Sequence, residues 1–509
     1  MLPSVDRLRL VPVLLVANAA SILLFRFFLT LDGPMHVLHA CALKSAWFSA
    51  RYANAQVDYL INLGTLDLFD LILVPLTVLL SPGVAHAFYG ALVVLVLGLG
   101  AWSLARAAGA GDRPLLVWVL PLGFSFILIM GFMTFLLATG LAMFAAGWWM
   151  RQGRITVPTA LKAGGLLIAC QATHRVGGSL ALMMMACYEV ILFVHSRQES
   201  RERWGILPPK LRNALLIVGF GGMLYKVLSA VLTSPRVRVP GNPEFWLGLF
   251  RLRPLLLFDA REETPFLIVL GLLLVISLAL ALFHRFASRA NGPATDALFL
   301  AGLFLLAVSV LVRTPNAELL YIGTRAQTIA LLLLGTWVAV VVPKNGWSTA
   351  LAGLVLVVHS WRMVHVEQRM AGSRQVYEQA LEVVDRLPEH GVTLPVVCDD
   401  NWMHEHLSAF VAASYRGIFF SPGDHLGFLH HAEESWQLRD YSDGFQQELR
   451  WLEDHVTSNA PPVIDHIVLF GHGKPVSSRV SNLFAVRDKH FFLQWKNDYA
   501  EVWVRDPLR

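Results

Sequence analysis

Long apolar runs without a single acid or base constrain this chain more than any other feature. Residues 85–105 and 326–342 contain no Asp, Glu, Lys or Arg, and comparable runs recur from residue 10 to about residue 360. A run of roughly 20 apolar residues is what a helix needs to cross the hydrocarbon of a bilayer. Over all 509 residues 55% are apolar and 15% charged, against roughly 25% charged in a soluble domain. The charges crowd together after Trp361, so two solvents, and hence two domains, are implied.

The candidate spans are Leu10–Leu31, Ala85–Ala105, Leu115–Met130, Phe135–Met150, Ala163–Thr173, Gly178–Val194, Ala214–Leu232, Phe266–Phe283, Ala297–Val312, Ala326–Val342 and Thr349–His359. The run Leu66–Leu80 carries Asp67 and Asp70, falls short of a span and ends at Ser81-Pro82-Gly83, which predicts an interfacial or re-entrant helix. The basic loops support leaving it out. With about eleven spans and the N-terminus inside, Arg106 and Arg113, then Arg151, Arg154 and Lys162, then Arg197 to Arg212, then Arg285, Arg289 and Lys344 share the cytoplasmic side with Arg7 and Arg9, as the positive-inside rule requires. An odd count puts residues 32–83 and the C-terminal region outside. In the external loop Ser234–Thr264, the segment Glu244–Phe250 mixes aromatics with polar neighbours and suits a helix in the headgroup layer.

The expected architecture is therefore a polytopic α-helical membrane domain over residues 1–360, with a first external loop at 32–83, and a soluble α/β domain over 361–509. In the latter, Ser373–Leu387 and His404–Ser414 read as helices, Leu394–Cys398 and Val463–Phe470 as strands, and Phe491–Trp495 with Ala500–Val504 as a closing hairpin. Cys41, Cys170, Cys187 and Cys398 lie far apart and form no zinc-like spacing. The net charge of +5 reflects cytoplasmic loops rather than nucleic-acid binding. No phosphate-binding glycine loop, nucleophile elbow or HExxH sequence occurs, which argues against an ATP-driven pump.

Chemistry is best sought where the first span emerges, at Leu31-Asp32-Gly33-Pro34-Met35-His36-Val37-Leu38-His39. Asp32 precedes a helix start with Pro34 in its first turn. His36, Lys44 and Arg51 then fall on one side of that helix. A carboxylate beside a basic stripe can activate an acceptor next to an anionic group, while an Asp at this position is also a good N-cap. His174, Arg175 and Arg325 stand at span ends, where they can meet a lipid phosphate or fix the depth of a span. In His404-Glu405-His406 the imidazoles diverge if the stretch is helical, so the tail histidines read as surface groups rather than a metal site.

The acid directly after the first span, the amphipathic stretch behind it and the segment Ser81–Leu92, leading into a span that ends Leu104-Ala105-Arg106, resemble the N-terminal module of the GT-C integral-membrane glycosyltransferases. Gly131-Phe132-Met133-Thr134-Phe135-Leu136-Leu137 and Gly323-Thr324-Arg325 are similar to segments of bacterial members, and His406–Phe410 with Arg416-Gly417 is similar to their tails. The resemblance implies a multi-pass protein of the bacterial inner membrane with a periplasmic C-terminal domain. It implies transfer of a sugar from a polyprenyl-phosphate-linked donor to an extracytoplasmic glycan, lipid or protein. Asp32 would be the base or the ligand of a divalent metal such as Mg or Mn, with His36 its catalytic neighbour. His39, Lys44, Arg51, His174, Arg175, Arg325 and His406 would bind substrates. Many members carry two acids in this loop, whereas here Gly-Pro-Met-His follows a single Asp. A carrier for lipid-linked sugars or another solute, and a non-catalytic scaffold, are the readings from other classes.

Overall fold

The computed structural model describes residues 10–25, 27–48, 68–204, 252–287, 292–311, 317–388, 392–399, 401–404, 406–415, 418–419, 465–471 and 487–506. The helices are α1 (Leu10–Leu24), α2 (Gly33–Phe48), α3 (Leu68–Leu79), α4 (Pro82–Ala107), α5 (Val119–Gly123), α6 (Phe126–Ile129), α7 (Met133–Met150), α8 (Val157–Thr173), α9 (Gly177–His195) and α10 (Arg197–Arg203). They continue as α11 (Ala260–Ala287), α12 (Pro293–Leu311), α13 (Ala317–Val341), α14 (Gly346–Leu381) and α15 (Leu407–Ser414). Among the described residues, seven helices are long and apolar enough to cross a membrane, namely α4, α7, α9, α11, α12, α13 and α14. On α11 the large apolar residues Ile268, Leu272, Val275 and Ile276 are exposed, an outward face that only lipid would solvate well. The protein is a multi-pass membrane protein.

Each candidate span outside 214–232 coincides with helical structure, but four depart from a simple span, one of them the 17-residue α8, which is neither long nor apolar enough to count among the seven. The first helix stops at Leu24, so its 15 residues reach about 22 Å at 1.5 Å per residue. Phe27 to Thr30 are extended and buried. Their apolarity serves contacts within the protein: Phe27 stacks on Tyr377, Phe28 stacks on His86, and the Leu29 N–H meets the Met370 sulfur at 3.3 Å. The expected span 115–130 is broken. A 3-10 turn Pro114–Trp118 leads into α5, and the chain unwinds at Phe124 and Ser125 before α6. Pro121 and Gly123 weaken the helical ladder there. Finally, α14 runs on through Ser373 to Leu381, where a separate soluble helix was expected. The segments 214–232 and 244–250 lie outside the described residues. The run 66–80 forms the 12-residue α3, too short to cross.

The chain divides into two units, one from the residues up to Leu24 with Gly90–Val366, the other from Phe25–Tyr89 with Glu367–Arg509. In the first, α4 and α7 approach closely: a Cβ on Gly140 would lie 2.8 Å from the Leu97 backbone, and one on Gly147 would lie 2.7 Å from Ser103. Small residues at such crossings are the usual means of packing helices in lipid. In the second, the stretch after α1 packs with the tail: α2 lies against α3 and α15. Its five strands are β1 (Val392–Val397), β2 (Ile418–Phe419), β3 (His466–Phe470), β4 (Phe491–Lys496) and β5 (Ala500–Arg505). They form one sheet in the order β2-β1-β3-β5-β4, parallel from β2 to β3 and antiparallel from β3 to β4. All five residues of β3 are buried, as expected of a central strand in a mixed sheet.

Candidate active site

Asp32 sits on a seat built by its neighbours. The Thr30 hydroxyl accepts from the Gly33 N–H at 3.1 Å and shares a hydrogen bond of 3.3 Å with His86 Nε2. A Cβ at position 33 would overlap both groups, so only glycine lets the loop lie this close to His86. The Asp32 carbonyl accepts from the N–H groups of Met35 and His36 and opens α2. With Thr30 and the Asp32 backbone starting the helix, the Asp32 carboxylate lies 3.6 Å from His406 Nε2. That is an ion-pair distance when the imidazole is protonated and too long for a hydrogen bond. The Asp32 side chain is 32% exposed and that of His406 18%, open enough to meet a substrate. Below them Phe27, Tyr377 and Phe410 form an aromatic cluster with centroids 4.6–6.2 Å apart.

His36 is an electrostatic neighbour of His86. Burial pushes His39 down to about 4. Lys44 donates to the Thr77 carbonyl at 2.8 Å and so ties α2 to α3. Arg51 lies outside the described residues. Among the described residues no three His, Cys, Asp or Glu side chains converge as a protein-built metal cage requires. A divalent ion at Asp32 would take its remaining ligands from substrate phosphate and water, as Mg often does.

Two residues before His406, the expected helix start is replaced by a 3-10 turn, Trp402–His404, and the helix begins at Leu407. His404 is buried rather than a surface group. Its Nδ1 meets Asp399 Oδ2 at 2.6 Å, and its Nε2 lies 3.1 Å from both Ser373 Oγ and Asn401 Nδ2. Asp399 also accepts from the Asn401 N–H and from the Tyr499 hydroxyl at 3.0 Å. Burial alone would raise the Asp399 carboxyl, but the hydrogen bonds from His404, Asn401 and Tyr499 hold it below the usual carboxylate range. Ser373, His404 and Asp399 thus line up in the order of a hydrolase triad. Ser373, however, lies within the continuous α14 and is 4% exposed. The array works as a tie between α14, the end of β1 and the β4–β5 hairpin.

In the other unit the two later segments of the resemblance meet. The Arg325 guanidinium lies 3.9 Å from the Phe132 ring and 5.4 Å from that of Phe135. His174 packs edge-on against Phe135 and stands in the field of Arg325 and Arg175. Gly131, at φ 85, supplies the turn that aims Phe132. His174, Arg175 and Arg325, separated by some 150 residues in sequence, therefore form one basic group.

Two further polar sets escaped the sequence reading. His359 Nε2 pairs with Asn18 Oδ1 at 2.8 Å, and the buried Arg362 donates to the carbonyls of Pro121 and Leu255. Pro121 precedes the break in the helix, so Arg362 satisfies backbone that the break leaves without a helical partner. Glu189 accepts from Trp149, Arg203 and Trp204 at 2.6–2.9 Å. A polar or charged side chain inside a hydrophobic run was the available signal for Asn18, Glu189 and Arg362.

Among solved structures, the chain is similar to ArnT from Cupriavidus metallidurans bound to undecaprenyl phosphate, with a TM-score of 0.51 and 13% identity over 99% of each chain. The chain shares the fold of that protein. ArnT of the same organism in the apo state aligns with a TM-score of 0.41 and 14% identity, over 96% of this chain and 97% of that one. No family model and no curated protein matches the chain. At 13% identity the likeness is one of fold, and activity has to be argued from the residues.

Proposed function

We propose that the protein is a glycosyltransferase of the inner membrane, with eleven spans, that moves a sugar from a polyprenyl-phosphate carrier to an acceptor on the periplasmic side. The observation that carries this reading is the Asp32–His406 pair: a partly exposed carboxylate at a helix start with an imidazole 3.6 Å away, in a chain with the GT-C fold. The acceptor's hydroxyl or amine attacks the anomeric carbon while the bond from that carbon to the phosphate oxygen breaks. The bonding electrons leave with the polyprenyl phosphate. The acceptor's proton goes to the Asp32 carboxylate, the general base. His406 orients that carboxylate and, when protonated, favours its ionised form. Arg175 and Arg325, one basic group within the other unit, are proposed separately to bind a lipid phosphate, charge against charge. A divalent ion held by Asp32 and the phosphate would supply further neutralisation of the leaving group.

The test compares envelope glycans from cells carrying the intact protein, no protein, and Asp32→Asn at matched membrane abundance. Loss of a glycan in the Asn variant that the intact protein restores is the expected result. Full restoration by the variant removes Asp32 from the mechanism. The break at Phe124 and Ser125 beside Arg362 gives the carrier reading a specific basis, because transporters place interrupted helices at their binding sites. Under that reading Asp32→Asn leaves the glycan intact and Arg362→Leu abolishes it.

A further inference from the structure

Loops that carry reactive groups are effective only when a rigid frame sets them, and the loop carrying His406 has such a frame. His406 lies on neither a strand nor the body of a helix: it precedes α15 and accepts the Ala409 N–H at its carbonyl, 3.0 Å. Its backbone position is set by what holds residues 399–404. Asp399 at the end of β1 grips His404 Nδ1. An ionised carboxylate only accepts, so Nδ1 carries the proton and Nε2 is left to accept. Both neighbours of Nε2 fit that assignment. Ser373 brings a hydroxyl, and Asn401, whose Oδ1 accepts the Met403 N–H at 3.1 Å, turns its amide nitrogen to the ring. Tyr499, from the hairpin, closes the set on Asp399. Every ring nitrogen and every carboxylate oxygen of the Asp399–His404 pair is thereby engaged, in a part of the protein where His404 is 5% exposed.

We propose that His404 is a positioning residue for the Asp32–His406 pair: through Asp399 it fixes the turn that delivers His406 to within 3.6 Å of Asp32. The inference rests on Asp32 being the base. His404 itself touches neither the substrate nor the reacting atoms. Loosening it lets the His406 imidazole drift from the carboxylate, and a displacement near 1 Å in such a constellation costs on the order of a hundredfold in rate. Removing a cationic neighbour also raises the pH at which the carboxylate takes up a proton. Activity is read at each pH against the amount of folded protein in the membrane, since a fault in folding alone lowers the two in proportion.

The experiment uses the full-length protein in cells lacking the native copy, with envelope glycan formation followed in media from pH 5.5 to 8, to which the periplasm equilibrates. His404→Phe keeps the ring volume and removes both polar nitrogens. His404→Asn keeps a donor where Nδ1 stood. The expected result is a ten- to hundredfold loss for His404→Phe, with the acid limb of the profile moved to higher pH, and recovery of most activity and of the limb by His404→Asn. Should His404→Phe fail to reach the membrane, Tyr499→Phe, which deletes only the hydroxyl bound to Asp399, is expected to move the limb in the same direction with a smaller loss. Wild-type activity and profile in His404→Phe, or an unmoved limb in a well-inserted Tyr499→Phe, overturns the inference. Wild-type activity in Asp32→Asn within the same experiment overturns the reading beneath it instead.

Discussion

His39 shows how a single residue of α2 couples stability to pH. Burial pushes its imidazole down to about 4, whereas in an unfolded chain it titrates near 6.5. The folded state thus binds fewer protons between those values, and stability present above about pH 6.5 is lost as pH falls toward 4. His466, lowered by burial against the opposing pull of Asp465, adds loss in the same direction. Asp399, held below its usual range, contributes only at still lower pH, below about 3.9. Thermal unfolding of the detergent-solubilised protein should therefore show a midpoint that falls between pH 7 and pH 5, and His39→Leu should flatten part of that fall. An unchanged slope in the variant would mean that His39 is protonated in the folded protein. At this scale the sequence offered residue types but not partners. Asp32 stood out because it follows an apolar run, yet nothing local to His404 announces Asp399, Ser373 and Tyr499, the last nearly a hundred residues away.

Helices were legible where one solvent decides them. In α4, α7, α9, α12 and α13 the expected apolar runs lie within the observed helices to within a residue or two, since hydrocarbon forces every backbone group into an internal bond. The expectation failed where protein replaces lipid as the partner. Phe27 to Leu31 continue the hydrophobic run of α1 but lie outside the helix, because Phe27 and Phe28 are buried against the far-removed Tyr377 and His86 and the Leu29 N–H meets Met370. The break at Phe124 is tolerated because Arg362, some 240 residues later, meets the Pro121 carbonyl. The α4–α7 crossing depends on small residues at Gly100, Gly140 and Gly147, and a Cβ at Gly140 has backbone, not a yielding side chain, 2.8 Å away. Gly140→Val is accordingly expected to lower stability by about 1–3 kcal/mol or more through overpacking, read as a lower unfolding midpoint and a reduced monodisperse yield in detergent. Gly164→Val on α8, where nothing lies within 4 Å of an added Cβ, serves as the comparison and should behave as wild type. Equal behaviour of the two variants would show that the helices separate at that crossing without cost.

Topology is a property of the whole chain, because each span added or removed reverses everything after it. The expected eleven crossings would place the tail opposite the N-terminus. They would keep Arg106 and Arg113, Arg151 and Arg154, and the bases from Arg197 to Arg212 on the cytoplasmic face, where an excess of Lys and Arg belongs. The count depends most on α1 and α3. At about 22 Å, α1 is shorter than the roughly 30 Å of hydrocarbon and must be met by local thinning or by apolar flanks. The 12-residue α3, with Pro75 inside it, is shorter still. If α1 crosses and α3 does not, Asp32 and the tail lie on the same side, as their membership of one unit requires. If α3 crosses as well, the bases after Met150 move outside, against the charge rule. A reporter enzyme active only in the periplasm, fused after Arg509, should therefore be active, and the same reporter fused into the loop at Gly109–Asp112 should be silent. Activity at both positions would mean that an even number of spans, and not the expected nine, separates them, while silence after Arg509 in a well-expressed fusion would put Asp32 in the cytoplasm and take the periplasmic acceptor away from the proposed reaction.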